Sequence, residues 1–247
     1  MRATRIVLLI FVPLLAIASF TVLAQPSGRG IRATVAALEA ENVVLRDRLD
    51  TLEATLANVR RSGDDLFFEG MNVHIRNRGV AEIDGLGNLI VGRNGRRPGD
   101  NLRTGSHNLI VGSHHNYSSH GGVVFGFQST LSAPYATVTG GFGNTASGES
   151  SSVTGGTTNV ASGVVSWVGG GGGNLSSGEA SSVTGGNFGV AAELAASVTG
   201  GFRNEALGQF TSVNGGQMNR AEADLSVISG GSSFVATTPV EHVNTHP

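Results

Sequence analysis

The sequence contains no cysteine, which removes disulfides, thiolate metal sites, iron–sulfur clusters and thiol catalysis together. Charge is scarce as well. Asp, Glu, Lys and Arg make up 14 % of 247 residues, against about 25 % in an ordinary globular chain. The net charge of −2 supplies neither a basic field for nucleic acid nor an acidic tail. Aromatic residues are 6 %, with a single tryptophan. Glycine is abundant instead, at 38 residues, about twice its average usage. Glycine and proline together stay below the share that marks plain low complexity, and 39 % hydrophobic residues suffice for a core if well placed. This composition does not fit a typical globular enzyme.

Residues 1–24 read as a signal peptide. Arg2 and Arg5 form a basic start, an apolar run follows from Ile6 to Ala24, and Val22-Leu23-Ala24 precedes Gln25 as a cleavage site. The alternative is an uncleaved anchor, since the run approaches the roughly 20 residues that span a bilayer. Either way the remainder is expected beyond the inner membrane: secreted, periplasmic or at the cell surface, with membrane attachment only through an uncleaved segment. Residues 25–30 are a flexible linker.

Residues 31–61 predict a parallel coiled-coil stalk. Val35, Asn42, Leu49 and Leu56 take the a positions, and Ile31, Leu38, Leu45, Leu52 and Val59 the d positions. The g–e′ pairs Glu41–Arg46 and Arg48–Glu53 are opposite in sign, as parallel chains in register require, and Asn42 on the seam fixes register and strand number. Arg48-Leu49-Asp50-Thr51-Leu52-Glu53 has the Arg-apolar-x-x-apolar-Glu pattern of trimeric coiled coils. A helix packed on its own domain is the alternative, but it would need a wider apolar face. Arg61-Ser62-Gly63 is expected to end the helix.

From 123 to 231 the chain repeats every fifteen residues. An aliphatic residue recurs at Val123, Val138, Val153, Val168, Val183, Val198, Val213 and Ile228. Gly-Gly pairs follow in step from 140–141 to 230–231. Asn144, Asn159, Asn174, Asn204 and Asn219 come three residues after their pairs, with Gly189 as the break. Helical repeats need about thirty or more residues. Fifteen suffice for one coil of a β-solenoid, so the fold class is an all-β parallel β-roll behind an α-helical coiled coil. The valines should fill one inner wall and the small rank Ala146, Ala161, Ser176, Ala191, Ala206 and Ala221 the other. Gly-Gly is expected to supply positive φ, and asparagine a left-handed corner and a side-chain ladder. Residues 64–122 read as capping and irregular first coils. Leu66 to Ile75 is expected to form a strand pair, Asn88-Leu89-Ile90-Val91-Gly92 recurs as Asn108-Leu109-Ile110-Val111-Gly112, and the insert Arg96–Asp100 should loop out. Residues 232–247 form a tail.

The Asn-x-x-Val/Ile-Gly ranks, the glycine-punctuated coils and the trimer-type heptads resemble the head of trimeric autotransporter adhesins of the Yersinia adhesin type. The resemblance covers about 80–231 and, generically, 31–60. It implies a left-handed β-roll, a homotrimer and adhesion. Two features depart from it: the coiled coil precedes the roll, and 232–247 are too short for a β-barrel anchor.

Candidate chemistry is sparse. Five histidines fall at 74–120, and His107, His114 and His120 are the candidates for a metal. They lack carboxylates in ligand spacing, so loop and surface roles, and no cofactor, are expected. No serine lies in Gly-x-Ser-x-Gly beside a base, and Gly169–Gly173 lacks the Lys-Ser/Thr of a phosphate loop. Outward hydroxyls flank the valine rank at Thr139, Ser152, Thr154, Ser182, Thr184 and Thr199, and Trp167 interrupts them. They are the candidate ligand-binding residues, with Trp167 as either a sugar-stacking platform or a filler between chains. The expected function is a non-enzymatic homotrimer that binds a host, matrix or cell-surface glycan or protein by multivalent contact. A polysaccharide-active solenoid enzyme and an ice- or mineral-binding surface are the alternatives.

Overall fold

The computed structural model describes residues 28–77, 83–240 and 242–243. The expected signal peptide, 1–24, lies outside the described residues. Among the described residues, no helix is long and apolar enough to cross a membrane. The chain divides into two units, residues 1–73 and 74–247.

Among the described residues the first unit is one helix and one hairpin. Helix α1 runs Gly28–Thr55, so it begins inside the expected linker and stops short of the expected end near 60. The stop has a local cause. Strand β1, Val59–Ser62, pairs antiparallel with β2, Asp65–Phe68, in the register Val59↔Phe68 to Ser62↔Asp65. The loop is two residues long, and Gly63 has φ +60 at its first position, as a type II′ hairpin turn requires. Arg61-Ser62-Gly63 therefore turns a hairpin instead of ending a helix, and the d-position Val59 is a strand residue. Across the hairpin, the Arg60 guanidinium bonds Glu69 at 2.9 Å and lies 4.1 Å from the Phe67 ring centroid. The strand pair expected over 66–75 is thus replaced: Leu66–Phe68 pairs backwards, and 71–77 hold no strand.

The second unit is a parallel β-solenoid of about nine turns with coils of about fifteen residues. The strands β3 (Leu89–Val91), β4 (Leu109–Ser113) and β6 (Val123–Phe127) open an eleven-stranded parallel sheet, and β5 (Asn116–Tyr117) opens a nine-stranded one. Later coils add two residues to each sheet, such as Ser152–Val153 and Val160–Ala161. Single bridges from Phe127 through Phe142 and Thr157 to Ser232 form a third ladder.

The fifteen-residue step starts later than the sequence suggests. Ile90 pairs with Ile110, Ile110 with Val124 and Val124 with Val138, which are steps of 20, 14 and 14 residues. Val124, not Val123, is the buried residue of its coil. From Val138 the period is regular. The valines at 138, 153, 168, 183, 198 and 213 and Ile228 fill one wall, and Ala146, Ala161, Ser176, Ala191, Ala206, Ala221 and Ala236 the other, all fully buried. A third inner rank closes the coil at Ala136, Ser151, Ser166, Ser181, Ala196, Thr211 and Ser226. Three of its hydroxyls are accommodated locally: Ser181, Thr211 and Ser226 each donate, at 2.7 Å, to the carbonyl three residues earlier, whereas the buried Ser166 hydroxyl has no hydrogen-bond partner.

The asparagine ladder is present, but asparagine is not the left-handed residue. Asn159 N–H donates to Asn144 Oδ1 (2.9 Å), and its Nδ2 donates to the Gly155 and Gly171 carbonyls (2.8 and 3.1 Å). Asn174 repeats the pattern, Gly189 N–H still donates to Asn174 Oδ1, and the ladder resumes at Asn204 and Asn219. The positive φ belongs to the residue before each asparagine, such as Thr158 (φ 54) and Met218 (φ 54), and to a second corner at Ser150, Val165, Ala180 and Phe210. A short polar side chain that bonds two rungs fixes that corner so firmly that even β-branched residues enter the left-handed region beside it.

The two glycines of each pair differ in role. Gly186 has φ +83, and a Cβ on it would overlap the Gly201 carbonyl of the next rung. Gly185 has ordinary backbone, and a Cβ on it would meet nothing within 4 Å. From 140–141 to 215–216, positive φ is thus the property of the second glycine alone. The insert at 96–100 folds back instead of looping out. Arg97 donates to Thr130 Oγ1 (3.0 Å), Asp100 accepts from Asn116 Nδ2 (2.7 Å), and Leu102 N–H donates to Asn116 Oδ1 (3.1 Å).

Gly186→Ala should therefore destabilise the solenoid by about 2 kcal/mol or more, from strain plus overlap. Gly185→Ala should be neutral or stabilise by up to about 1 kcal/mol, because it restricts only the unfolded chain. Denaturant melts of the two variants measure the difference.

Candidate ligand-presenting faces

A strand of this solenoid shows alternate residues to the core and to solvent. With Val153, Val168 and Val183 inward, their neighbours on both sides face out. Thr139, Ser152, Thr154, Trp167, Ser182, Thr184 and Thr199 accordingly share the outer face of the eleven-stranded sheet, half-buried or exposed. The sheet registers Ser152 beside Trp167 and Trp167 beside Ser182. From Thr137 to Ser229 neither outward rank of this face carries an ionisable side chain. The Thr139 hydroxyl donates to the Thr154 carbonyl (2.7 Å), and Trp167 Nε1–H donates to Thr154 Oγ1 (3.1 Å).

The outer face of the nine-stranded sheet is different. Val160, Leu175 and Val190 stand in register with Glu205 and Arg220. Arg220 Nε lies 3.4 Å from Glu205 and 2.9 Å from Glu222. Two carboxylates thus meet here, but they share one guanidinium on an exposed surface.

The edges between faces carry large apolar side chains at some rungs and polar ones at others, such as Thr157, Asn187 and Gln217. Phe127 and Phe142 stack with centroids 5.9 Å apart, and Phe188 and Phe202 meet edge to face at 5.9 Å with Arg203 over both rings. At another corner Tyr135, Val165, Phe210 and Leu225 are exposed. These two exposed ranks were not picked out from the sequence. The signal was present in Phe127 and Phe142, fifteen residues apart, but it is weaker than the glycine pattern that runs through it.

In the helical unit the heptad residues Ile31, Val35, Leu38, Leu45, Leu49, Leu52 and Leu56 are each 46–57 % exposed. Asn42, Arg48 and Glu53 are exposed too. Leu56 lies one residue past α1, with its N–H still bonded to the Leu52 carbonyl (3.0 Å).

The histidines do not converge. His107 Nε2 lies 3.2 Å from Asn77 Oδ1, His114 packs on Phe127 at 4.9 Å, and His120 meets the Tyr135 edge at 5.3 Å. Among the described residues no three His, Asp or Glu side chains come together to hold a metal. His114 and His115 occupy a corner between β4 and β5. His115, which the sequence reading left aside, is fully buried. Its Nδ1 accepts from Ser129 N–H (3.2 Å), so Nε2 carries the proton towards the Val111 carbonyl (3.2 Å). A recess of about 410 Å³ lies beside Ile83–Gly85 and Arg103–Thr104. Its carboxylate, Asp84, is held below the ordinary range chiefly by Leu86 N–H, against some desolvation, with Asn77 and Ser106 adding donors.

Compared with protein-family models and with curated proteins, the sequence matches none.

Burial pushes the His115 imidazole pKa down, and Arg97 adds repulsion against the charged ring. The unfolded chain therefore takes up this proton at about pH 6.5, while the folded chain does so only at lower pH. The stability linked to His115 should be complete above about pH 7 and decline as pH falls through 6.5 and on to the folded-state value. Melts from pH 8 to 5 should show this decline, and His115→Gln should flatten it at some cost in stability at neutral pH.

Proposed function

We propose that the protein is a non-enzymatic homotrimer in which α1 assembles three chains and the solenoids present a repeated binding surface to an extracellular glycan or protein. The observation that carries this reading is the seam of α1. Seven aliphatic residues in strict heptad spacing lie half open to solvent, and no solvated helix gains from such a stripe. The g–e′ signs, Glu41 with Arg46 and Arg48 with Glu53, favour copies of the same chain in parallel register. Pockets add little to an enzymatic reading: among the described residues the recess at Asp84 is lined by one carboxylate, and Glu205 and Glu222 are both tied to the Arg220 guanidinium on an exposed surface.

The solenoid supports the same reading from a second direction. Each coil buries one valine or isoleucine, one alanine or serine and one hydroxyl-bearing or small residue, while Phe127, Phe142 and Phe202 stand exposed on an outer edge. Apolar side chains ranked in register on an outer edge mark an association surface. Three chains gathered by one coiled coil would shelter such edges and display three equivalent ligand faces. The mechanism is avidity: linked weak contacts gain about 10²–10⁴ in strength without a deep site. Kinship with trimeric autotransporter adhesins is part of this proposal. It rests on the helix type, the coil length and the glycine and asparagine ranks.

Light scattering on the mature protein should give three times the chain mass. Leu49→Ser with Leu52→Ser should give monomers whose solenoid melts lower or aggregates. A monomeric wild-type protein would overturn the assembly.

A further inference from the structure

The ligand face of that proposal has one place where its pattern is broken twice in the same rung. Trp167 replaces the serine or threonine of the first outward rank, and Gly169 replaces the threonine of the second. The two exceptions fit each other. A Cβ at Gly169 would meet the Thr184 carbonyl of the next rung first and then the Cζ2–Cη2 edge of the indole, 3.0 Å from either atom, and the same long edge carries Nε1, which donates to Thr154 Oγ1 of the preceding rung. The ring is therefore held at both ends of one edge against the sheet, in a fixed orientation, yet Trp167 keeps 38 % of its surface open to solvent.

We infer that Trp167 is the stacking platform of a binding site for a neutral polysaccharide, with Thr154, Ser182 and Thr184 as its hydroxyl partners. This rests on the reading of the solenoid as a ligand-presenting surface and names the ligand's chemistry. A pyranose offers an apolar face of C–H groups to an aromatic ring and hydroxyls around its rim. The rung supplies the ring, and its neighbours supply hydroxyls that both donate and accept. Thr154 Oγ1 accepts from the indole and retains its own proton to donate. The face lacks ionisable side chains on both outward ranks from Thr137 to Ser229, so nothing on it rewards an anionic or cationic ligand. Rungs repeat at about 4.8 Å, so hydroxyls continue on both sides of the platform along the direction a linear chain would follow. Because the ring is already pinned, little rotamer freedom is lost on binding.

Trp167 is the sole tryptophan, so its fluorescence reads the site directly. The full-length mature protein is titrated with cellohexaose, chitohexaose and mannohexaose, with light scattering on the same samples. The expected result is a saturable change in emission with at least one of the three. Trp167→Ala should weaken that binding, followed calorimetrically, by about tenfold or more. Trp167→Phe should recover part of it, and Thr154→Val should lose about three- to tenfold, all with wild-type melting curves. No saturable response to any of the three sugars overturns the site, as does binding unchanged in Trp167→Ala. Emission shielded from acrylamide in wild type but exposed in Leu49→Ser/Leu52→Ser would make the ring a contact between chains and also overturn it. A trimer without sugar binding rejects this site alone. Sugar binding by a monomer keeps the site and rejects the assembly.

Discussion

The second unit depends on one constraint: each rung must lie directly on the last with almost nothing between the backbones at its corners. Gly141, Gly156, Gly171, Gly186, Gly201 and Gly216 meet it in the same way, with positive φ and no room for a Cβ beneath the glycine of the next rung. The asparagine corner meets it by different means. There a side-chain amide accepts from the rung above and donates to carbonyls of its own and the neighbouring rung, so the corner is held by hydrogen bonds that repeat with the coil. Once both corners are in place, the inner ranks need only be small. The interior can then be as modest as one valine and one alanine per turn. Stability in such a stack is a sum of neighbour terms, so a fault at one corner is felt chiefly by the two rungs that share it.

The repeat was legible because glycine, asparagine and valine each answer to a separate physical demand at a fixed spacing, and the fold class followed from the period. The details that escaped are those where two patterns compete. Val123 continues the arithmetic of the valine rank, but Gly126 and Gly112 pair in the sheet, and that alignment puts Val124 inside. The heptad runs on to Val59 by spacing alone, yet Gly63 favours a tight antiparallel turn, and a hairpin satisfies the backbone of 59–68 without a partner chain. His115 gave no signal because a buried histidine and a loop histidine look alike in sequence. Its place follows from a corner that only the three-dimensional register defines.

The outer faces were legible in part. Alternation alone put Thr139, Ser152, Thr154, Trp167, Ser182, Thr184 and Thr199 on one surface, and the sheet registers do place them there. Alternation could not reveal the aromatic edge, since Phe127 and Phe142 belong to a ladder of single bridges between the two sheets, where side chains follow neither strand nor helix periodicity. Nor could it separate the two glycines of each pair. The first of them, at 155, 170, 185, 200 and 215, has ordinary backbone and open space where a side chain would be, and nothing within the chain explains its identity.

Regularity gives the exceptions their meaning. In a fold whose every rung repeats the same solution, a residue that departs from its rank either carries a compensation nearby or leaves a fault. Gly189 leaves a fault: its N–H donates to Asn174 Oδ1, but it has no side chain with which to accept from the next rung. Trp167 departs in another way: its rung also loses the threonine of the second outward rank, and a Cβ at Gly169 would meet the Thr184 carbonyl of the next rung before it met the indole. The glycine thus answers first to the backbone of its neighbour and then to the ring, while the indole is fixed by its own hydrogen bond to Thr154 Oγ1.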